Sequence, residues 1–170
     1  DPGVAPAGAG ARCHEVHDAV GERRFFAIGC RNDAGGWELR SPQFKGSSAP
    51  KSITTFDRHG DTALLFEGFF DLLSYLTLQH KPEPIVDTAV LNSVVNLPCA
   101  LPFLARHATI HAFLDNDEAG RLTLERLRSA LPGATVIDRA ESYRAHKDLN
   151  ESLRSSAKVS RTPHRRGRKL

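Results

Sequence analysis

Glu67, Gly68 and Asp71 follow an apolar run at residues 62–66, and Asp115, Asn116 and Asp117 follow a second run at 109–114. Each cluster puts carboxylates where a strand hands over to a helix. Ligands of parallel sheets sit beyond the carboxyl ends of the strands, so two such clusters can converge there. Carboxylates gathered this way bind Mg²⁺, which keeps waters that substrate phosphates replace. Asp148, with Asn150 and Glu151, offers a third acidic corner. Glu67, Asp71, Asp115, Asp117 and Asp148 could hold one or two ions, and two ions roughly 3.5–4 Å apart suit in-line phosphoryl chemistry. Asp71 falls in the first turn of its helix, where the dipole favours a carboxylate. Gly68 lets the chain turn, and Gly120 keeps the next helix start open. Helix N-caps draw Asp and Asn whatever the function. Residues 115–117 alone therefore read first as a capping turn, and only the three corners together favour a metal site.

The elements that must carry these acids alternate. Residues 62–66 form a continuous apolar strand. Residues 69–79 follow as a helix, with Phe69, Leu72, Leu73 and Leu76 at helical spacing. A second strand is expected over 85–91, broken after Val86, and a short helix over 98–106 with Pro98 near its start. Residues 109–114 make the third strand. Residues 118–131 make the clearest helix, with Leu124, Leu127 and Leu131 on one face and Pro132-Gly133 ending it. Residues 134–137 form a fourth strand, and 147–151 open a last short helix. This order predicts an α/β fold: a Rossmann-like, mostly parallel four-stranded sheet with flanking helices and right-handed crossovers.

Ahead of it, residues 25–30 and 37–40 flank the turn-forming 32–36 and predict a β-hairpin. Residues 41–52 read as a loop, 12–23 are ambiguous, and the Ala, Gly and Pro of 1–11 read as a linker. The expected divisions are 1–23 linker, 24–61 hairpin and basic loop, 62–154 core and 155–170 tail.

With 170 residues, 40% hydrophobic and 25% charged, the chain is long enough for one globular domain. No run approaches the roughly 20 apolar residues of a membrane span, and no secretory signal opens the chain, so cytoplasm is the expectation. The chain has no Met and begins with Asp1, which reads as a fragment or processed product. Cys13, Cys30 and Cys99 form no C-x-x-C pair and argue against a disulfide framework, fitting a reducing compartment. Cys13, His14 and His17 as metal ligands lack a fourth partner, which weighs against a zinc site.

The residues 64–71 (LLFEGFFD), 113–120 (FLDNDEAG) and 147–151 (KDLNE) resemble the three motifs of the toprim family, over roughly residues 62–153. That family includes the catalytic core of bacterial DNA primases, topoisomerases and some nucleases. The Gly after Glu67 and the form of the second motif look more like primases. Residues 25–55, with GGWELR at 35–40 and FKGSS at 44–48, resemble the segment before the core in primase-like proteins of mobile elements. Those usually carry an N-terminal zinc-binding domain, absent here, which fits a truncated chain whose isolated activity could be lost.

The resemblance implies Mg²⁺ or Mn²⁺ as cofactor, and single-stranded DNA template and nucleoside triphosphates as substrates. It implies a replicative helicase or relaxase as protein partner. It makes Glu67 the general acid/base, Asp115 and Asp117 metal ligands, and Asp71 and Asp148 their support. Asn150 stands where many primases have a second Asp, which weakens a second metal site.

Arg40, Lys45 and Lys51 precede the core and are candidates for phosphate contact, or an ordinary basic loop. Lys147 joins the candidates from the third motif. Arg121, just past the acidic turn, reads more readily as a surface helix residue. Six basic residues and no acid lie between Lys158 and Leu170, including Arg165, Arg166 and Arg168. Such a stretch does not pack a core; it is expected to contact nucleic-acid phosphates without sequence preference, the alternative being a solubilising end. Three functions are open: a nucleotidyltransferase making RNA primers, a metal-dependent nuclease with the same acids, and a non-catalytic nucleic-acid-binding module.

Overall fold

The structure, a computed structural model, describes residues 13–20, 23–41 and 44–160. Two sheets organise it. The larger has five strands in the order β5-β7-β6-β8-β9, built from β5 (Thr54–Phe56), β6 (Thr62–Phe66), β7 (Asp87–Val90), β8 (Thr109–Phe113) and β9 (Thr135–Asp138). β7, β6, β8 and β9 are parallel; β5 pairs antiparallel with β7. The sheet therefore has one strand more than expected. Three residues in length, β5 is too short to carry an alternating signal and takes its place through its ladder to β7.

The helices are α1 (Phe69–Leu78), α2 (Leu97–Leu104), α3 (Glu118–Ala130) and α4 (Leu149–Ser160). Successive side chains of a strand point to opposite faces, and β6 shows both faces buried. Leu64 and Phe66 pack with Leu72, Leu73 and Leu76 of α1 and with Leu149 of α4. Ala63 and Leu65 pack with Leu97, Ala100 and Leu104 of α2 and Leu124 and Leu127 of α3. A continuous apolar strand is what this two-sided burial requires. Phe66 stacks on Phe113, ring centroids 4.9 Å apart, tying β6 to β8 next to the acidic ends of both strands.

Strand β7 begins at Asp87, and residues 85–86 lie outside it. Asp87 and His107 are both buried and meet at 3.1 Å. Backbone N–H groups of Arg58 and Gly60 also donate to the Asp87 carboxylate. These contacts lock the N-terminal ends of the parallel strands, away from the acidic clusters.

The second sheet is antiparallel, in the order β1-β2-β3-β4: β1 (Cys13–Val20), β2 (Arg23–Arg31), β3 (Trp37–Arg40) and β4 (Lys45–Ser47). The expected hairpin is its β2–β3 pair. β1 falls in the ambiguous stretch and β4 in the expected loop. Asn32 anchors this sheet: its Nδ2 donates to Pro50 O at 2.8 Å, and its Oδ1 accepts from Ala34 N and Gly36 N. Gly36 is required there, since a Cβ would stand 2.1 Å from Pro50 O. Asp33 Oδ2 accepts from Thr55 Oγ1 at 2.8 Å, joining the turn to the larger sheet.

Cys13 and Cys30 face each other across β1 and β2 and form a disulfide, leaving Cys99 free among the described residues. This corrects the reading of three unpaired cysteines. It also removes Cys13 from any metal site with His14 and His17. His14 packs edge-on to Trp37, and the His17 side chain lies outside the described residues. Cys30 packs against the α1 side of the core. α4 runs through Ser160, so residues 155–160 are helical rather than part of a disordered tail. Arg165, Arg166 and Arg168 lie outside the described residues. Among the described residues no helix is long and apolar enough to cross a membrane.

Candidate active site

β6 and β8 are parallel neighbours in register, with Phe66 opposite Phe113. The residues that follow each strand therefore emerge side by side. Asp115 N donates to Glu67 Oε2 at 3.2 Å, and Glu67 N donates to Phe113 O at 3.2 Å. The two acidic clusters thus meet at the carboxyl edge of the sheet, as their spacing predicts.

Asp117 is the N-cap of α3, its Oδ1 accepting from Gly120 N at 3.0 Å. A Cβ on Gly120 would lie 2.0 Å from Asp115 O. Glycine is therefore needed for close approach, so that the helix can start directly under the acidic turn. Gly68 serves differently from expectation. Its φ of −125° is open to any residue, but a Cβ would crowd Asp71 Oδ2 at 3.3 Å.

Asp71 is buried at 8% exposure. Asn150 N donates to its Oδ1 at 3.2 Å, and Ser74 Oγ donates to Asn150 Oδ1 at 3.3 Å. Asn150 thus links α4 to α1 and positions Asp71. Asp148 caps α4, its Oδ1 accepting from Glu151 N at 2.6 Å.

A cavity of about 240 Å³ opens here, several times a water's share of liquid volume. Glu67, Asp71, Asp115 and Asp148 line one side, together with Lys147 and Asn150. Glu38, Arg40 and Lys45 line it from β3 and β4. Arg40 and Lys45 are register partners, and the Arg40 guanidinium lies 5.4 Å from the Phe70 ring centroid. The antiparallel sheet therefore brings two cations and one carboxylate across an acidic floor. Glu38 is the lining carboxylate that the sequence reading missed. It alternates with Trp37 and Leu39, and only the docking of β3 reveals which face meets the cavity. Asn92 and Ser93, just past β7, also line it. Lys51 lies near enough to influence Glu38, but does not line the cavity. Arg121 is exposed on α3 and does not line it either.

Lys147 crosses to the floor. Its Nζ lies 3.3 Å from Asp115 Oδ2 and 3.4 Å from Asp117 Oδ2. Asn116, between those acids, fastens the loop that delivers it. Asn116 Nδ2 donates to the carbonyls of Ala140, Tyr143 and His146, and Asn116 N donates to Lys147 O.

The electrostatics follow from burial and crowding. Desolvation raises the Asp71 carboxyl to about 7, helped by the nearby Asp148 charge; burial outweighs the favourable helix end. Desolvation and then Asp115 raise Glu67. Desolvation also raises Asp115, against the pull of Lys147. Asp117 is lowered, first by the Gly120 N–H it accepts and also by Lys147. Contact with Asp115 raises Lys147 and keeps it charged.

Hard oxygen donors under mutual repulsion are the set a divalent cation relieves. Among the described residues no group of three His, Cys, Asp or Glu side chains is arranged as a ready-made metal site. Mg²⁺ needs fewer, one or two carboxylates with waters retained. The ammonium shared by Asp115 and Asp117 marks a cation position of that kind, so the residues fit the ion.

A family described as a domain of unknown function matches residues 3–49, mostly the antiparallel sheet. No curated protein sequence matches the chain. Among solved structures, the primase fragment of the bacteriophage T7 primase-helicase protein aligns with a TM-score of 0.64 at 20% identity, covering 84% of this chain and 63% of that one. A chain of the bacteriophage T7 lagging-strand DNA polymerase complex, with primase domains bound to an RNA/DNA hybrid and dTTP, aligns at 0.55 and 17% identity, covering 82% and 81%. The likeness at these identities is one of fold, and this chain spans 63% of the length of the T7 primase fragment. The toprim-like family matches residues 64–153, the span from β6 to α4 that carries all three acidic corners, and the chain belongs to that family.

Proposed function

We propose that this chain is the catalytic core of a primase-type nucleotidyltransferase, joining ribonucleotides on single-stranded DNA with Mg²⁺ or Mn²⁺. One observation carries the reading. A cavity at the carboxyl edge of the parallel strands is lined by Glu67, Asp71, Asp115 and Asp148 of the core and by Arg40, Lys45 and Glu38 of the antiparallel sheet. That two-signed cavity suits a polyanion delivered with a cation. An acidic floor alone would repel phosphates, and cations alone would give no hold on a metal.

Asp115 and Asp117 would hold the ion, and Asp71 and Asp148 would add negative charge that favours its entry. The bound ion would screen phosphate charge and stabilise the charge that develops on the reacting oxygens. Arg40 and Lys45 bind and orient the triphosphate. Glu67, raised by burial and by its acidic neighbour, takes the proton of the 3′-hydroxyl at its carboxylate as that oxygen attacks the α-phosphorus and displaces pyrophosphate. A base with a raised pKa holds that proton more firmly near neutral pH. Phe69 and Phe70, at the start of α1, are buried and add apolar surface to the cavity lining. The basic stretch with Arg165, Arg166 and Arg168 adds sequence-independent affinity for the template, and a helicase or relaxase would bring that template.

The test is primer synthesis from nucleoside triphosphates on single-stranded template with Mg²⁺ or Mn²⁺, using the full-length protein. Template-dependent RNA product that disappears in Glu67→Gln supports the reading. Glu67→Gln indistinguishable from wild type overturns it. Cleavage of labelled DNA without nucleotides, by the same acids, would instead mark a nuclease. DNA binding that needs residues 158–170 but is indifferent to Mg²⁺ would mark a non-catalytic module.

A further inference from the structure

Lys147 combines a fixed backbone with an exposed charge. Its carbonyl accepts from Asn116 N at 2.6 Å, and its own N donates to Glu151 Oε2 at 2.7 Å. Tyr143 OH, earlier in the same loop, donates to Leu114 O at 2.8 Å. The main chain at Lys147 is thus pinned to the turn that carries Asp115 and Asp117. The side chain is different: it is 59% exposed, and its contacts to those acids are the two at 3.3 and 3.4 Å. The ammonium can swing away while the turn stays in place. It can swing into the cavity, which Lys147 itself lines.

Asp115 and Asp117, which share the Lys147 ammonium, are also the carboxylates that would hold a divalent cation. An ammonium and a divalent ion cannot both be held there, because like charges at such separation repel strongly.

We propose that Lys147 is the resident counter-ion of the acidic turn, displaced when a divalent cation enters. It holds Asp115 and Asp117 side by side in the metal-free protein, and once displaced it becomes a hydrogen-bond donor to phosphate on the cavity floor. The inference rests on Asp115 and Asp117 being the metal ligands. It makes Lys147 a positioning residue that sets the threshold for metal entry, rather than a simple phosphate contact.

Mn²⁺ titration of the protein without substrate, followed by the electron paramagnetic resonance of free Mn²⁺, tests this. Lys147→Gln is expected to bind Mn²⁺ about tenfold tighter, since a competing charge at salt-bridge distance is gone. Lys147→Arg, which keeps the charge, is expected to bind no tighter than wild type. Arg126→Gln removes the same charge from the exposed face of α3 and is expected to bind as wild type does. Without metal, Lys147→Gln should melt below wild type, and saturating Mn²⁺ should reverse that order.

Wild-type binding with no tightening in Lys147→Gln overturns the displacement alone. Equal tightening in Arg126→Gln also overturns it, by showing a general charge effect. If neither wild type nor Lys147→Gln binds Mn²⁺, the assignment of Asp115 and Asp117 falls as well.

Discussion

Two groups of carboxylates lie at opposite ends of the same parallel strands, and the fold treats them in opposite ways. At the N-terminal end, Asp87 is buried but fully served: two backbone N–H groups and His107 converge on it. Burial alone would raise its pKa, yet those donors bring it down to about 2. At the carboxyl end, Asp71 is comparably buried and rises to about 7, because it accepts one backbone N–H while Asp148, Asp115 and Glu67 crowd it. A structural carboxylate finds its partners inside the fold. The acidic cluster keeps part of its bonding capacity open, as the cation-binding role proposed for it requires.

The sharpest way to break this comparison is to remove one acid from each end and ask what fails. Glu67→Gln is expected to lower primer synthesis by 10²–10⁴-fold, on the order of a lost general base, without lowering the melting temperature. Lost folding in place of lost activity would make Glu67 a structural acid like Asp87.

Asp87→Ala is the converse. It strands two backbone N–H groups and a buried imidazole, and breaking such a buried pair costs about 3–5 kcal/mol. At roughly 2–4 °C per kcal/mol for a chain of this size, thermal melting should show a fall near 10 °C. Activity well below melting should be preserved. The sign with pH follows from the depressed pKa. Asp87 stabilises the fold above its ordinary value of 3.8, and that contribution fades as pH falls toward 2. The wild-type and Asp87→Ala acid-unfolding curves should therefore converge in strong acid.

The contrast between the ends also marks what was legible in the chain. β6, α1, β8 and α3 announce themselves because strands buried on two faces are continuously apolar and one-sided helices repeat every three to four residues. The meeting of Glu67 with Asp115 follows from that order alone. β1, β4 and β5 leave weaker traces. β4 and β5 are three residues each, and β1 carries polar residues at four of its eight positions, out of strict alternation. Missing β1 hid the disulfide, because Cys13 and Cys30 become neighbours only once that strand is in register. Asn116 reads as part of a capping turn, and its fastening of a loop 24 to 30 residues away is a tertiary fact. Asn150 reads as a weakened metal ligand because a motif gives its type but not its burial. Asp87 shows the same limit from the other side. Nothing in its sequence neighbourhood predicts a fully paired carboxylate at the head of a buried strand.

Asp71 offers the finest test, since its effect should depend on pH and carry the unusual sign. A carboxyl raised from 3.8 to about 7 costs the folded state stability wherever it is ionised in the unfolded chain. That cost grows from pH 4 to pH 7 and is full above it. Asp71→Asn keeps an oxygen to accept from Asn150 N and removes the charge. It should therefore stabilise the metal-free protein at pH 8, by about 2–4 kcal/mol, with the gain shrinking to nothing near pH 4. Mg²⁺ should narrow the difference at pH 8, because the ion stabilises wild type by relieving the same repulsion and has less to relieve in the variant. Urea unfolding of both proteins at pH 4, 6 and 8, with and without Mg²⁺, gives the full comparison. A loss of stability at pH 8 would mean that Asp71 is a served carboxylate like Asp87, and the distinction between the two ends of the sheet would fail at its most buried member.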